Sequence, residues 1–175
     1  MTSAATTLTP PAHHEIILSR ELDAPRTLVF EAWSRPEHIV HWWGPHGFTN
    51  GHCEVDLRAG GRFRLDMTGP DGNRYRCEGI YEEVSRPERI VYRGMADDRH
   101  PCGAGLPPHS RVTVSFDELP QGRTRLTVLA RLPNAEARAA TIGGGFEAGW
   151  RDSFERLDQH LHKQARIRQD GSTSP

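Results

Sequence analysis

Hydrophobic positions along this chain alternate for most of its length and turn helical only near the end. From His14 to Leu22, Ile16, Leu18 and Leu22 share one parity, which predicts a half-buried strand. Asp23-Ala24-Pro25 interrupts it, because proline cannot donate to a strand ladder but fits the first turn of a helix. Leu28-Val29-Phe30 with Ala32-Trp33 then forms a short amphipathic helix. Ser34-Arg35-Pro36-Glu37 restarts the chain as a capping box, Ser34 accepting from the Glu37 amide while the Glu37 carboxylate reaches back. The second helix runs through Ile39 and Val40 to Trp42-Trp43 and stops near Gly44-Pro45. A regular helix points adjacent residues to different sides, so one tryptophan is expected inside and the other at a cavity mouth.

Period-two alternation follows. Cys53, Val55 and Leu57 share a face, Gly60-Gly61 turns the chain, and Phe63, Leu65 and Met67 form the returning inner face. Pro70-Asp71-Gly72-Asn73 is the next turn. The strand from Arg74 to Val84 changes phase, with Tyr75 and Cys77 on one parity and Ile80 and Val84 on the other, and Gly79 is the expected bulge. Arg86-Pro87-Glu88 leads into Ile90-Val91-Tyr92. Ala96 to Pro108, rich in proline, glycine and histidine, reads as a long loop. Val112, Val114 and Phe116 make another strand, Leu119 to Gly122 turn, and Leu126, Val128, Ala130 and Leu132 make the last one.

Pro133-Asn134 opens the helical end, and Gly143-Gly144-Gly145 divides a short helix from the main one or permits close approach to the sheet. Phe146, Trp150, Phe154, Leu157 and Leu161 recur at three- and four-residue intervals, the strongest periodic signal in the chain. His160, His162 and Lys163 fit an exposed C-terminal end of that helix. These elements predict an α+β protein in which a curved antiparallel sheet wraps around a long C-terminal helix, with two short helices after the first strand. Where side chains leave space between sheet and helix, an internal apolar groove results. Residues 14–163 are expected to form the domain, with flexible tails at 1–13 and 164–175.

Composition changes this picture little. Lys+Arg 22 against Asp+Glu 23 removes the broad electrostatic case for nucleic acid. Neither a signal peptide nor an apolar run of about 18 residues is present, so no membrane insertion and a cytoplasmic location are expected. Cys53, Cys77 and Cys102 lack ligand spacing, and two alternate with strand residues as small buried hydrophobes; an odd count of three in a chain expected to be cytoplasmic argues against a disulfide framework.

Several phrases carry a family resemblance across about His14 to Leu161. They are Ala24-Pro25 with Val29-Phe30-Glu31-Ala32-Trp33, Pro36-Glu37, Trp42-Trp43-Gly44-Pro45, Asp56-Leu57-Arg58 with Gly60-Gly61, Gly79 to Glu83 with Pro87-Glu88-Arg89-Ile90-Val91, and Gly149-Trp150 through Leu157 to Leu161. Together they resemble the START-like helix-grip superfamily (SRPBCC), in the branch similar to the C-terminal domain of the activator of Hsp90 ATPase (AHSA1-like). The resemblance implies a helix-grip fold and roles that range over carriers, binding proteins and aromatase or cyclase-type enzymes. The eukaryotic co-chaperone has a separate N-terminal domain for which this chain has no length, so a chaperone partner is carried only as an alternative.

The expected function is non-catalytic binding of a small hydrophobic or aromatic ligand, without cofactor or metal. Trp33, Trp42, Trp43 and Trp150 are the leading wall candidates. Phe63, Met67, Tyr75 and Tyr92 are further ones, with Phe116, Phe146 and Phe154 from the later elements. Each of these also fits plain core packing. The competing enzyme reading would use His41 or His46 as a base and Tyr75 or Tyr92 to polarise an oxygen, as in a cyclase, aromatase or hydrolase. No nucleophile elbow, metalloprotease phrase or phosphate loop supports it. His38 and His41, three apart with His46 and His52 nearby, and His100, Cys102 and His109, fall short of a metal signature. Arg64, Arg74, Arg76 and Arg93 have the parity of a solvated outer face. A protein-interaction or stress-related role would rest on the Ala96 to Pro108 loop, and a homodimer is compatible with this size but fixed by no feature.

Overall fold

The computed structural model describes residues 13–95 and 109–171. The expected N-terminal tail before His13, the Ala96 to Pro108 loop with His100 and Cys102, and residues 172–175 lie outside these. Seven strands alternate with few helices: β1 (Glu15–Leu22), α1 (Arg26–Ser34), α2 (Pro36–Trp42), β2 (Thr49–Val55), β3 (Arg62–Thr68), β4 (Arg74–Ser85), β5 (Arg89–Gly94), β6 (Arg111–Leu119), β7 (Arg123–Arg131), α3 (Ala135–Gly143) and α4 (Phe146–Gly171). The strands form one antiparallel sheet in the order β1-β7-β6-β5-β4-β3-β2. Strands β2 to β7 are a simple meander. β1 closes the far side by pairing with β7, Ile16 opposite Ala130 and Leu18 opposite Val128. The two short helices therefore carry the chain from one edge of the curved sheet to the other. This is the helix-grip architecture, with α4 in the concave face.

The stripe Phe146, Trp150, Phe154, Leu157 and Leu161 is buried against inward residues of the sheet, among them Phe116, Leu126 and Val128. Such burial contributes about 1.5–3 kcal/mol per large side chain and is the main reason the sheet curls. The outer face carries ion pairs, with Arg64 and Arg76 on Asp66 and Arg93 and Arg111 on Glu82. Asn134 caps α3 by accepting from the Ala137 amide at 2.8 Å.

Local details depart from expectation at five places. The capping box is absent: Arg35 holds the N-cap of α2, and Ser34 instead donates to the Glu31 carbonyl at 3.3 Å as the last residue of α1. The phase change in β4 falls between Tyr81 and Glu83 rather than at Gly79, so Tyr81 is the buried residue and Ile80 is only half-buried. Gly79 has a different reason to be glycine, since a Cβ there would lie 2.4 Å from the Phe63 ring. Gly149, expected to lie close to the sheet where a larger side chain would collide, instead faces Pro45 at 3.5 Å, an ordinary contact. Finally, α4 runs on to Gly171, and His160 is buried within it because α2 packs across that turn. Of the cysteines, Cys53 is free, whereas Cys77 is fully buried and disulfide-bonded, contrary to the expectation of unbridged cysteines.

Candidate functional site

The four tryptophans of the chain meet in one cluster. Trp33, near the end of α1, stacks on Trp150 of α4 with ring centroids 5.7 Å apart and planes 6° apart. Trp42 and Trp43 lie 4.8 and 5.7 Å from Trp33. Both of these adjacent rings are buried, against the expectation that only one turns inward. The helix ends at Trp42, and Trp43 takes an extended conformation (φ -67°, ψ 135°), which swings the second ring back toward the core.

The turn that follows is fastened to α4. Gly44 has φ +96°, and a Cβ on it would sit 3.0 Å from the Met67 sulfur, so glycine is needed on both counts. Its amide donates to Ser153 Oγ at 3.1 Å. The Arg156 guanidinium donates to the carbonyls of Trp43, Gly44 and Pro45 at 3.0, 2.8 and 3.1 Å. These carbonyls lie at the end of α2, where a helix leaves acceptors without internal partners. The Trp42-Trp43-Gly44-Pro45 phrase is thus a docking turn that locks two indoles into the core.

An apolar pocket opens beside the cluster. Trp33, Ile39 and Trp43 form its helical wall, and Cys53 and Val55 of the edge strand β2 form another. Phe63 and Leu65 of β3, Tyr81 of β4, and Ile90 and Tyr92 of β5 complete it, with Arg64 at the rim. Its envelope, including the part open to solvent, is about 390 Å³. Only about 20 Å³ of that admits the centre of a water-sized sphere, which is room for about one water.

Of the residues expected from sequence, Trp33, Trp43, Phe63 and Tyr92 line this pocket. Trp42, Met67, Phe116, Phe146, Trp150 and Phe154 are buried elsewhere in the core. The pocket therefore lies between the short helices and β2–β5, and α4 supports it from behind through Trp150 instead of forming its floor. Tyr75 packs on Phe48, ring centroids 5.5 Å apart, in a separate surface groove with Pro45, Gly145 and Asp152. Sequence reasoning missed Ile39, Cys53, Val55, Leu65, Tyr81 and Ile90 as wall residues. Period-two parity pointed inward for most of them; Tyr81 was hidden by the misplaced bulge.

The lining has hydrogen-bonding capacity that the fold leaves unused. The indole N–H groups of Trp33 and Trp43 and the hydroxyl of Tyr92 are buried without a partner among the described residues, as is that of Trp150 behind the pocket. Trp42 by contrast donates to the Ala32 carbonyl at 2.9 Å. Burial pushes the Cys53 thiol up to about 11 and raises the Tyr81 and Tyr92 phenols above their ordinary value. All three stay protonated at neutral pH.

The histidines weighed as bases lie elsewhere. His38 Nδ1 and His160 Nε2 are 2.9 Å apart between α2 and α4, and His41 stacks on His160 at 5.2 Å. Burial, then the neighbouring His38, His41 and Lys163, brings His160 down to about 4. His46 is exposed and bonds Glu155 at 3.0 Å, and with Asp152 the three offer ligand atoms within 4.8 Å of one another. That set was invisible in sequence because its two carboxylates come from α4.

The fold and this site define a START-like, SRPBCC-type ligand-binding module. The chain belongs to the family described as Activator of Hsp90 ATPase homolog 1-like protein, whose model matches residues 23–162. Among solved structures it is similar to a protein from Nitrosomonas europaea (27% identity, TM-score 0.78, covering 89% of this chain and 99% of that one). It is also similar to a protein from Mycobacterium smegmatis (25% identity, TM-score 0.78, 92% and 99%). An AHSA1 protein from Silicibacter pomeroyi shares the fold at 24% identity (TM-score 0.66, 86% and 99%). No curated protein matches the chain. Among the described residues no helix is long and apolar enough to cross a membrane.

Proposed function

We propose that this protein binds a small hydrophobic or aromatic molecule, without transforming it, in the pocket between α2 and strands β2–β5. The observation that carries this reading is the wall itself: aromatic and aliphatic side chains from six consecutive elements, α1 to β5, converge on one concave site. The ionisable groups on that wall support binding over chemistry. Cys53, Tyr81 and Tyr92 are held protonated by burial, and Arg64 is engaged by Asp66 at 2.8 Å. His41 and His46, the bases the enzyme reading requires, are not on it.

The present free volume holds about one water, so a ligand has to displace a wall to enter. Native mass spectrometry of gently purified protein, followed by extraction of any adduct, tests the proposal directly. Titration with small aromatics should quench tryptophan emission saturably, because Trp33 and Trp43 are on the wall. Purified protein free of adducts, with no saturable quenching across one- and two-ring aromatics and fatty acids, would overturn it.

A further inference from the structure

Trp33, Trp43 and Tyr92 are 4, 6 and 2% exposed, and each buries a polar hydrogen with no acceptor among the described residues. A buried donor left unpaired costs about 1–3 kcal/mol, and native proteins keep such groups few. Three on the wall of one pocket therefore form a pattern that packing alone does not explain. An indole N–H donates only, and a phenol donates or accepts. The three unpartnered groups of the lining thus carry three hydrogens against one oxygen able to accept, that of Tyr92, and the second phenol of the wall, Tyr81, both donates and accepts. In the same cluster Trp42 has its indole satisfied by a backbone carbonyl, while that of Trp150, directly behind the wall and stacked on Trp33, is left unpaired as well.

We infer that the ligand of this pocket is a neutral aromatic or alicyclic molecule bearing a carbonyl-type acceptor oxygen, which takes up the hydrogens of Trp33, Trp43 and Tyr92. This rests on the binding reading above and narrows its ligand class. A ligand rich in hydroxyl or amino donors would meet donors and leave its own unpaired. A carboxylate would have to shed its hydration without a free cation, since the Arg64 guanidinium is held on Asp66. The free space of about 20 Å³ is far below the roughly 300–1,000 Å³ of ligand sites, so the walls must part to admit a ligand and one or two rings require the least displacement.

The test uses 1-tetralone and tetralin, which share a bicyclic shape and differ chiefly in one carbonyl. Calorimetric titration should give the ketone an affinity about tenfold or more above that of the hydrocarbon, the ratio for one net hydrogen bond. Tyr92→Phe should shrink this ratio by weakening tetralone binding more than tetralin binding. As a readout that needs no variant, the indole ¹H–¹⁵N resonances of Trp33 and Trp43 should move downfield with tetralone and not with tetralin. Equal affinities and no selective indole shift would overturn the inference while leaving an apolar binding site standing. Indole shifts that already report hydrogen bonding in the ligand-free protein, unchanged by tetralone, would assign the donors to an ordered water and overturn it too. Failure of both compounds to bind would sink it together with the binding reading.

Discussion

At the scale of single residues, Gly79 and Phe63 show how one position serves another far away in sequence. The Phe63 ring lies across β4 at Gly79, and a Cβ on Gly79 would also meet the Arg93 carbonyl at 2.9 Å. Gly79→Ala should therefore destabilise the protein by about 1–3 kcal/mol in urea unfolding, the usual range for overpacking. Phe63→Leu should relieve part of that loss, so the double variant should be less destabilised than the sum of the single ones. Additive losses would show that the backbone contact, not the ring, is the obstacle. The sequence marks Gly79 as special but is silent on the reason, because a bulge and a close aromatic approach both call for glycine. The parity of Phe63, Leu65, Tyr92 and Val114 was legible because alternation needs only local information. The partner of each side chain was not.

At the scale of elements, the contact between α2 and α4 combines features the sequence reveals and features it hides. The apolar stripe of α4 was plain from its spacing, yet that spacing left His160 looking like part of a polar end. Only the arrival of α2 buries it. His38 and His160 share one hydrogen bond at 2.9 Å, which requires that they not both be protonated. Facing groups are Glu31 and Arg35 at α1 and its exit, Glu37 and His41 on α2, and Lys163 on α4. Both imidazoles titrate below 6.5 in the folded state, His160 at about 4, chiefly because burial disfavours the charged ring. The unfolded chain then binds more protons as pH drops. The stabilisation is complete above pH 6.5 and is lost progressively toward pH 4. The unfolding free energy from urea titration should fall over that interval by an amount on the order of 1–3 kcal/mol, and His160→Asn should flatten the slope. Glu21, Asp66 and Glu155 are lowered from ordinary carboxylate values of 4.5, 3.8 and 4.5, so their contribution is lost as pH falls from those values downward, overlapping only the acid end of this window. An unchanged slope in the variant would remove His160 from the account.

For the whole molecule, the ends and the entrance are the open questions of energetics. Most of the fold was legible, since seven alternating segments and one long amphipathic helix admit few arrangements, and the family phrases pointed to the same one. The site was less so. Whether rings fill or line a space depends on backbone placement to within an ångström, and Trp150 came out filling while Trp43 came out lining. Removing Met1 to Ala12 together with Arg166 to Pro175 should lower the melting temperature by no more than about 4 °C. Among the described residues in these segments, Ile167 is exposed, and Arg168 makes a solvent-exposed pair with Glu31 at 2.7 Å, worth about 0–1 kcal/mol. A large cooperative loss would move the domain boundary outward.

A ligand is expected to enter the pocket past β2. Cys53 and Val55 belong to β2, an edge strand that pairs only with β3 and slips register between Asn50 and Cys53. The strand is tied to α2 by Asn50, whose amide donates to the carbonyls of Val40 and Trp43 at 2.9 and 2.8 Å. The opposite walls, β3 to β5, are laddered on both sides and have no comparable freedom. A sheet edge laddered on one side only opens at lower free energy than the centre of that sheet. Asn50→Ala removes the tie without touching the pocket lining. Stopped-flow quenching with 1-tetralone should show a faster association rate in this variant, with dissociation accelerated as well and the equilibrium affinity changed less than either. Hydrogen exchange should report reduced protection in β2 and at the end of α2, with β5 and β6 unaffected. Wild-type rates in a correctly folded Asn50→Ala protein would place the entrance elsewhere, and exchange protection that drops uniformly would mean that Asn50 stabilises the whole fold instead of guarding one wall.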